Sequence, residues 1–277
     1  MNIAVLSGKG GTGKTTVAVN LARVLHCRYV DSDVEAPNGF LFLQPDIQDK
    51  ADVSVQIPQI DEQRCNYCLA CVKHCQFNAL FGTDSSIVFF EKLCHSCGLC
   101  SLVCKQNAIK EVPRRVGYVE FGSSAGAECW QGVLIPGEPV TGPVIDALKA
   151  RLDGDLSIID CPPGSSCSVV AAADKTDLAL LVTEPTPFGV HDLHMAVQVT
   201  EKLNLPRAII INRSEGQDAI IQDYANATGI PIIGRLPFSL EAAQIVSRGE
   251  LLVDKEEWRQ RFQNLAEAVR ELIACTS

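Results

Sequence analysis

The sequence lacks three things that would each point to a function class: a surplus of basic residues, a long apolar run and an export signal. Of its 277 residues, 24 are Lys or Arg and 33 are Asp or Glu, a formal net charge of −9. A general nucleic-acid binder draws its affinity from a basic face that neutralises phosphates, so this balance argues against that class and leaves room only for a local basic patch. No apolar stretch approaches the ~20 residues of a membrane-spanning helix. The chain starts instead on Asn2-Ile3-Ala4-Val5-Leu6, which reads as a core strand and not as a signal peptide. A soluble, cytoplasmic protein is expected, with no nucleic-acid partner and no stable membrane insertion.

What the sequence does have is a large apolar fraction, 47%, and 13 cysteines. The apolar fraction suffices for a full globular core, and the length suits one large α/β domain or one domain plus a small module. Eight cysteines fall between Cys65 and Cys104, while Cys27, Cys129, Cys161, Cys167 and Cys275 are scattered. A disulfide scaffold is usually short and exported, and it does not predict regular spacing. Metal-bound thiolates in a reducing compartment fit better.

Along the chain, the apolar run 2–7 is followed by a glycine-rich loop, then by Val17, Leu21, Val24 and Leu25 at helical spacing within Lys14 to Leu25, then by a short strand at Arg28-Tyr29-Val30-Asp31. This is the start of a βαβ unit with a parallel sheet. From about Asp61 to Val112 cysteines replace aliphatic residues and periodicity fades, with Pro58 and Pro113 bracketing the change. The α/β pattern then returns, with strands expected at Gly117–Phe121, Leu156–Asp160, Asp177–Thr183 and Arg207–Ile211, each followed by a turn and a helical stretch. A final helix from Glu256 to Ala274 carries Trp258, Phe262, Leu265, Val269 and Leu272 on one face. The expected fold is a doubly wound, mostly parallel α/β sheet in two parts, 1–58 and 114–277, interrupted by a small module at 59–113.

Gly8-Lys9-Gly10-Gly11-Thr12-Gly13-Lys14-Thr15 matches the phosphate-loop pattern Gly-x4-Gly-Lys-Thr, after a strand and at a helix N-terminus. Backbone N–H groups of such a loop point at phosphates, Lys14 supplies charge to the β/γ-phosphates, and the Thr15 hydroxyl supplies an oxygen to Mg²⁺. With Lys9 as a second lysine, Lys9 to Thr16 resembles the deviant loop of the MinD/Mrp/ParA family of ATPases, which also includes the nitrogenase iron protein. The resemblance implies a P-loop ATPase fold, ATP and Mg²⁺ as ligands, and a nucleotide-sandwich dimer in which Lys9 reaches the partner's nucleotide. Asp31-Ser32-Asp33 closes the second strand and resembles the family's second acidic motif, which implies Asp33 on the attacking water and Asp31 in the magnesium shell. Ile158-Ile159-Asp160-Cys161-Pro162-Pro163-Gly164 resembles the MinD/Mrp motif that holds Mg²⁺ through its aspartate, here Asp160, and Gly164 would start a switch loop. Asn212 and Pro237-Phe238 resemble the family's adenine-binding elements.

Within the cysteine-rich segment, Cys65 to Leu80 recurs at an offset of 29 positions as Cys94 to Ile109, an internal duplication. Each copy has the spacing Cys-x2-Cys-x2-Cys-x3-Cys of bacterial ferredoxins, in which three close thiolates bind one cubane and the fourth reaches the neighbouring cluster. That rule groups Cys65, Cys68, Cys71 and Cys104 on one [4Fe–4S] cluster and Cys94, Cys97, Cys100 and Cys75 on the other. Structural zinc is the rival, but zinc modules favour Cys-x2-Cys pairs separated by a longer spacer. The proline that usually follows the fourth cysteine is Gln76 in one copy and Lys105 in the other. His74 and His95 are bystanders, because eight cysteines already complete two sites.

Cys27 and Cys275 read as buried helix thiols and Cys161 as a neighbour of the magnesium aspartate. Cys167, in the loop after Asp160, lies where the nitrogenase iron protein has a ligand for its intersubunit cluster, and Cys129 could be its companion at a third, shared metal site. His191 and His194, one turn apart, are more cheaply explained by capping and exposure than by metal binding. The function expected from the resemblance is an ATPase, dimeric with itself or with a related MinD-type ATPase, whose nucleotide state gates electron transfer from its clusters to a redox or cluster-accepting partner. An iron–sulfur assembly factor and a positioning ATPase with structural or sensory clusters are the alternatives.

Overall fold

The computed structural model describes the backbone of residues 1–276 and the side chains of residues 1–274. The expectation for Cys275 therefore lies outside the described side chains. In chain order the first half is β1 (Asn2–Leu6), α1 (Lys14–Leu25), β2 (Arg28–Asp31), α2 (Gly39–Leu43), β3 (Asp46–Ile60), α3 (Ala70–His74), β4 (Leu80–Gly82), β5 (Ile87–Phe89), α4 (Leu99–Leu102), β6 (Ile109–Ser124) and β7 (Ala127–Leu134). The second half is α5 (Gly142–Lys149), β8 (Ser157–Asp160), α6 (Cys167–Ala173), β9 (Leu178–Thr183), α7 (Pro187–Lys202), β10 (Arg207–Ser214), α8 (Ala219–Thr228), β11 (Ile232–Pro237), α9 (Leu240–Ser247) and α10 (Glu256–Thr276).

Among the described residues one nine-stranded sheet runs β11-β10-β9-β1-β8-β2-β7-β6-β3. Neighbours from β11 to β7 are parallel, and β6 and β3 are added antiparallel. Parallel strands covered on both faces read as continuous apolar runs, and β1, β8 and β9 are buried along almost their whole length. One face packs on α1 and α10 through Val17, Leu21, Phe262 and Val269. The other packs on α5, α6, α7 and α8 through Ile145, Val169, Leu193 and Ile221. Each such aliphatic side chain contributes about 1.5–3 kcal/mol on leaving water.

Two expectations about strands need correction. Gly117–Phe121 is not followed by a helix: it lies inside β6, which turns through Ala125 (φ 48°) and Gly126 (φ 80°) directly into antiparallel β7. Two consecutive left-handed residues make the tight hairpin turn whose twist matches antiparallel strands. Pro58 and Pro113 do not end strands either. β3 and β6 pair from Asp46 opposite Ser123 to Ile60 opposite Ile109, with Pro58 opposite Glu111 and Pro113 opposite Gln56. Proline is tolerated there because β3 is the sheet edge and β6 has outrun β7, so each strand has only one neighbour to bond.

The β3/β6 ribbon carries residues 61–108 at its far end. That segment holds all eight clustered cysteines, α3, α4 and the small β4/β5 hairpin, around a minor core of Ile57, Ala79 and Cys94.

Candidate functional site

The phosphate loop lies where β1 ends, and α1 starts at Lys14 with no acidic residue in its first turn. Its free N–H groups and the positive end of the helix dipole therefore face the loop without competition. Two glycines are fixed by close approaches. A Cβ on Gly8 would lie 1.9 Å from the Asp192 carbonyl oxygen of α7, and Gly13, at φ 87°, brings its Cα side against the Asn212 amide.

A cavity of about 290 Å³ opens here, lined by Lys9, Gly10, Gly11, Gly13, Lys14, Thr15, Thr16 and Asp33 among others. A second, of about 100 Å³, shares Gly13 and Thr16 with it and is lined by Asn212, Pro237 and Phe238. Arg213 lines both, held by Glu184 at 2.5 Å. Asn212 donates from its Nδ2 to the Thr12 carbonyl at 2.7 Å, so it braces the phosphate loop as well as lining the second cavity. The Thr12 hydroxyl is buried without a hydrogen-bond partner.

Lys14 donates to Asp160, both of them buried. Burial alone would lower the Lys14 pKa, but the Asp160 carboxylate beside it outweighs that and holds it above the usual lysine value. Asp160 also accepts from the Tyr29 hydroxyl at 3.1 Å. Tyr29 went unnoticed in the sequence, although its position two residues before Asp31 on one strand was signal enough for a shared face. Lys9 pairs with Asp192 at 3.5 Å across the Gly8 contact, a partner 183 positions away that no local pattern announces.

Asp31 and Asp33 face different surroundings. β2 ends at Asp31, whose carboxylate turns inward, fully buried, and accepts from the backbone N–H groups of Asp33 (3.1 Å), Asn38 (3.0 Å) and Gly39 (2.8 Å). Burial, and then the Asp160 carboxylate, push Asp31 up to about 7. Asp33 alone lines the phosphate cavity. In the nucleotide-free chain Asp31 clamps the loop that presents Asp33.

In the cysteine segment the 29-position duplication is repeated in backbone geometry. Tyr67 and Ser96 (φ 52° and 57°), Leu69 and Gly98 (60° and 72°), and Asn78 and Asn107 (52° and 50°) are all left-handed. Tyr67, Ser96 and Leu69 are neither glycine nor asparagine, a strain of about 1–3 kcal/mol each that persists only where the surroundings impose it. In each copy the amide four residues on donates to the fourth cysteine, Ala79 N to Cys75 Sγ and Ala108 N to Cys104 Sγ, both at 3.3 Å.

The thiols group across the two copies. A small cavity of about 20 Å³ is lined by Cys75, Cys94, Cys97 and Cys100 among others. Burial pushes Cys94 up, with Cys97 and Cys75 adding to it, and burial followed by Glu111 pushes Cys100 up to about 11. Burial also pushes Cys71 up, with Cys65 and Cys104 as its thiol neighbours. Soft donors, four together on one side and three on the other, with backbone N–H groups aimed at the Cys75 and Cys104 sulfurs, fit thiolate-ligated clusters, which would supply one-electron chemistry when bound. Among the described residues no three Cys, His, Asp or Glu side chains converge to hold a single ion. His95 stacks on Phe77 at 3.8 Å over the second set, and His74 Nδ1 lies 2.8 Å from the Ala70 carbonyl oxygen.

Cys129 and Cys167 are not brought together within the chain. Cys129 is buried in β7 on the α1 side of the sheet, its thiol pushed up to about 11 by burial, whereas Cys167 is exposed at the start of α6 on the other side. The two thiols thus lie on opposite faces of the sheet in the single chain. His194 lies between Tyr224 and Gln198, each at 3.1 Å, and not against His191.

Residues 3–253 match the model of the CobQ/CobB/MinD/ParA nucleotide binding domain. The chain belongs to this family. An uncharacterized protein of Methanocaldococcus jannaschii is 33% identical over 96% of each chain. The iron-sulfur cluster carrier protein of the same organism is 23% identical over 96% of this chain and 84% of its own. Among solved structures, the septum site-determining protein MinD of Pyrococcus horikoshii, complexed with Mg-ADP, superimposes with a TM-score of 0.60 at 20% identity, covering all of this chain and 98% of the other. The large, mostly parallel sheet with its phosphate loop is thus that of the MinD-type ATPases. No helix among the described residues is long and apolar enough to cross a membrane.

Proposed function

We propose that this MinD/ParA-family protein binds and hydrolyses MgATP and that nucleotide-dependent dimerisation gates electron transfer through two [4Fe–4S] clusters to a partner protein. The observation that carries the reading is the grouping of cysteines across the duplication, Cys75 with Cys94, Cys97 and Cys100, and Cys104 with Cys71 and Cys65. Two clusters held by these cysteines would make an electron conduit, and the ribbon that bears them belongs to the sheet whose strand β1 leads into the phosphate loop.

In this reading Lys14, Lys9 and the loop N–H groups stabilise phosphoryl charge, Thr15 and Asp160 position Mg²⁺, and Asp33 orients the attacking water. Asn212, Pro237 and Phe238 take the base, and Asp31 fixes the Asp33 loop. The dimer partner is a second copy or a related MinD-type ATPase. Likeness to an iron-sulfur cluster carrier supports a second reading, in which a cluster rather than an electron is handed over. The burial of Cys129 weighs against labile thiols at that position.

The test is an anaerobic count of iron and acid-labile sulfide with EPR of the reduced protein. The proposal expects about eight irons per chain and two interacting signals. Zinc in their place would overturn it, and rapid transfer of iron to an apo-acceptor would favour the carrier.

A further inference from the structure

The cysteine module touches the ATPase body at a second place besides its ribbon. Glu138, in the turn after β7, has its side chain almost fully out of water and takes two cations from the module side. Lys92 Nζ is 2.7 Å from its Oε1, and Arg114 Nη1 is 2.8 Å from Oε1 and 2.7 Å from Oε2. Glu91 approaches the same guanidinium at 3.5 Å. Lys92 sits in the short helical turn Glu91–Leu93, whose Glu91 carbonyl accepts from the Cys94 amide at 3.1 Å. Arg114 sits on β6 where the ribbon leaves the sheet.

Toward the body, Glu138 closes the turn Ile135-Pro136-Gly137-Glu138. Its N–H donates to the Ile135 carbonyl at 3.1 Å, with proline second and Gly137 third at φ 83°, a pattern that leaves the turn little freedom. The residue before this turn, Leu134, donates its N–H to the carbonyl of Val34 at 2.8 Å. Val34 follows Asp33, and its side chain fits against Gly132, where a Cβ would stand 2.8 Å from Val34 Cγ1. An unbroken set of short contacts therefore runs from the Asp33 loop through Leu134 and a stiff turn to Glu138, Lys92 and Cys94.

We infer that Glu138 is the positioning residue through which the nucleotide state of the Asp33 loop reaches the Cys75/Cys94/Cys97/Cys100 site. This rests on the gating reading above and names its route. A shift of Val34 moves Leu134 and the turn as one piece, and the buried carboxylate carries Lys92 and Arg114 with it. The 134–138 turn is where the two sides meet, since it touches Val34 through Leu134 and Lys92 through Glu138.

The test uses the iron-loaded full chain and reads the rate at which a chelator strips iron, with and without MgATP, together with the EPR spectrum of the reduced protein. Wild type is expected to change its release rate several-fold on adding MgATP. Glu138→Gln, of the same size but uncharged, is expected to keep iron content and ATP hydrolysis while losing that response. Pro136→Gly, which leaves every ion pair in place and only loosens the turn, is expected to blunt it as well. Variants that respond to MgATP as fully as wild type would overturn the route, even if Glu138→Gln loads less iron, since Pro136→Gly tests it independently. A wild type whose iron release and EPR spectrum both ignore MgATP would overturn the route, whereas the gating reading on which it rests fails only if the oxidation rate of the reduced clusters also ignores MgATP.

Discussion

Lys14 and Asp160 form an ion pair inside the protein, one from the first turn of α1 and the other from the last residue of β8. Removing one member of a buried pair leaves the other charge uncompensated, at about 3–5 kcal/mol. The residues meant for phosphate and magnesium thus support each other in the fold.

Asp160→Ala should therefore lower the unfolding free energy by about 3–5 kcal/mol, measured by urea denaturation without nucleotide. ATP hydrolysis should fall by on the order of 10²-fold or more, the usual effect of removing one preorganised charge from a phosphoryl site. Near-normal stability with lost hydrolysis would mean that the pair matters only when nucleotide is bound.

The clamp made by Asp31 gives stability a pH dependence. Burial and Asp160 push its pKa up to about 7, so between about pH 4 and 7 the folded chain holds a proton that the unfolded chain has released. In that window the unfolded state binds fewer protons, and stability falls as pH rises. Asp31→Asn should remove this part of the slope in the nucleotide-free protein; identical slopes in both proteins would contradict the burial assigned to the carboxylate.

Cys167 should react with an alkylating reagent in the native protein while Cys129 does not, because one is exposed and the other is enclosed with its pKa raised to about 11. Mass spectrometry of the labelled chain checks this. Cys129→Ser should leave iron content unchanged.

The crossing of ligands between the two copies can be tested in a background lacking one set. Cys65→Ser/Cys68→Ser/Cys71→Ser should retain about four irons. Adding Cys104→Ser should leave them in place, and adding Cys75→Ser should release them. The opposite pattern would mean that each copy binds its own cluster.

Much of the site could be read from residue order alone. The loop from Gly8 to Thr16, the strand ending in Asp160 and the duplicated cysteines are local patterns, and local patterns survive translation into structure. The clamp made by Asp31 is not legible in the sequence because a strand-end carboxylate can turn outward to a ligand or inward to N–H groups, and only the later loop through Asn38 and Gly39 decides which. The β3/β6 ribbon was hidden for another reason. β3 is exposed along its first half, its alternation is confined to Val53, Val55 and Ile57, and Pro58 and Pro113 break the composition by which strands are recognised, so only the Gly117–Phe121 part of β6 reads as a strand. Contacts such as Lys9 with Asp192 and Lys92 with Glu138 join residues far apart in the chain, and they exist only once the sheet has been assembled.

The central claim is that nucleotide controls the movement of electrons through the cysteine module. Its most direct test is the rate at which pre-reduced, iron-loaded protein is oxidised by an added one-electron acceptor, with and without MgATP, in wild type and in Lys14→Ala. The account predicts a several-fold change on adding MgATP in wild type and none in Lys14→Ala. Equal rates with and without nucleotide in wild type would contradict it.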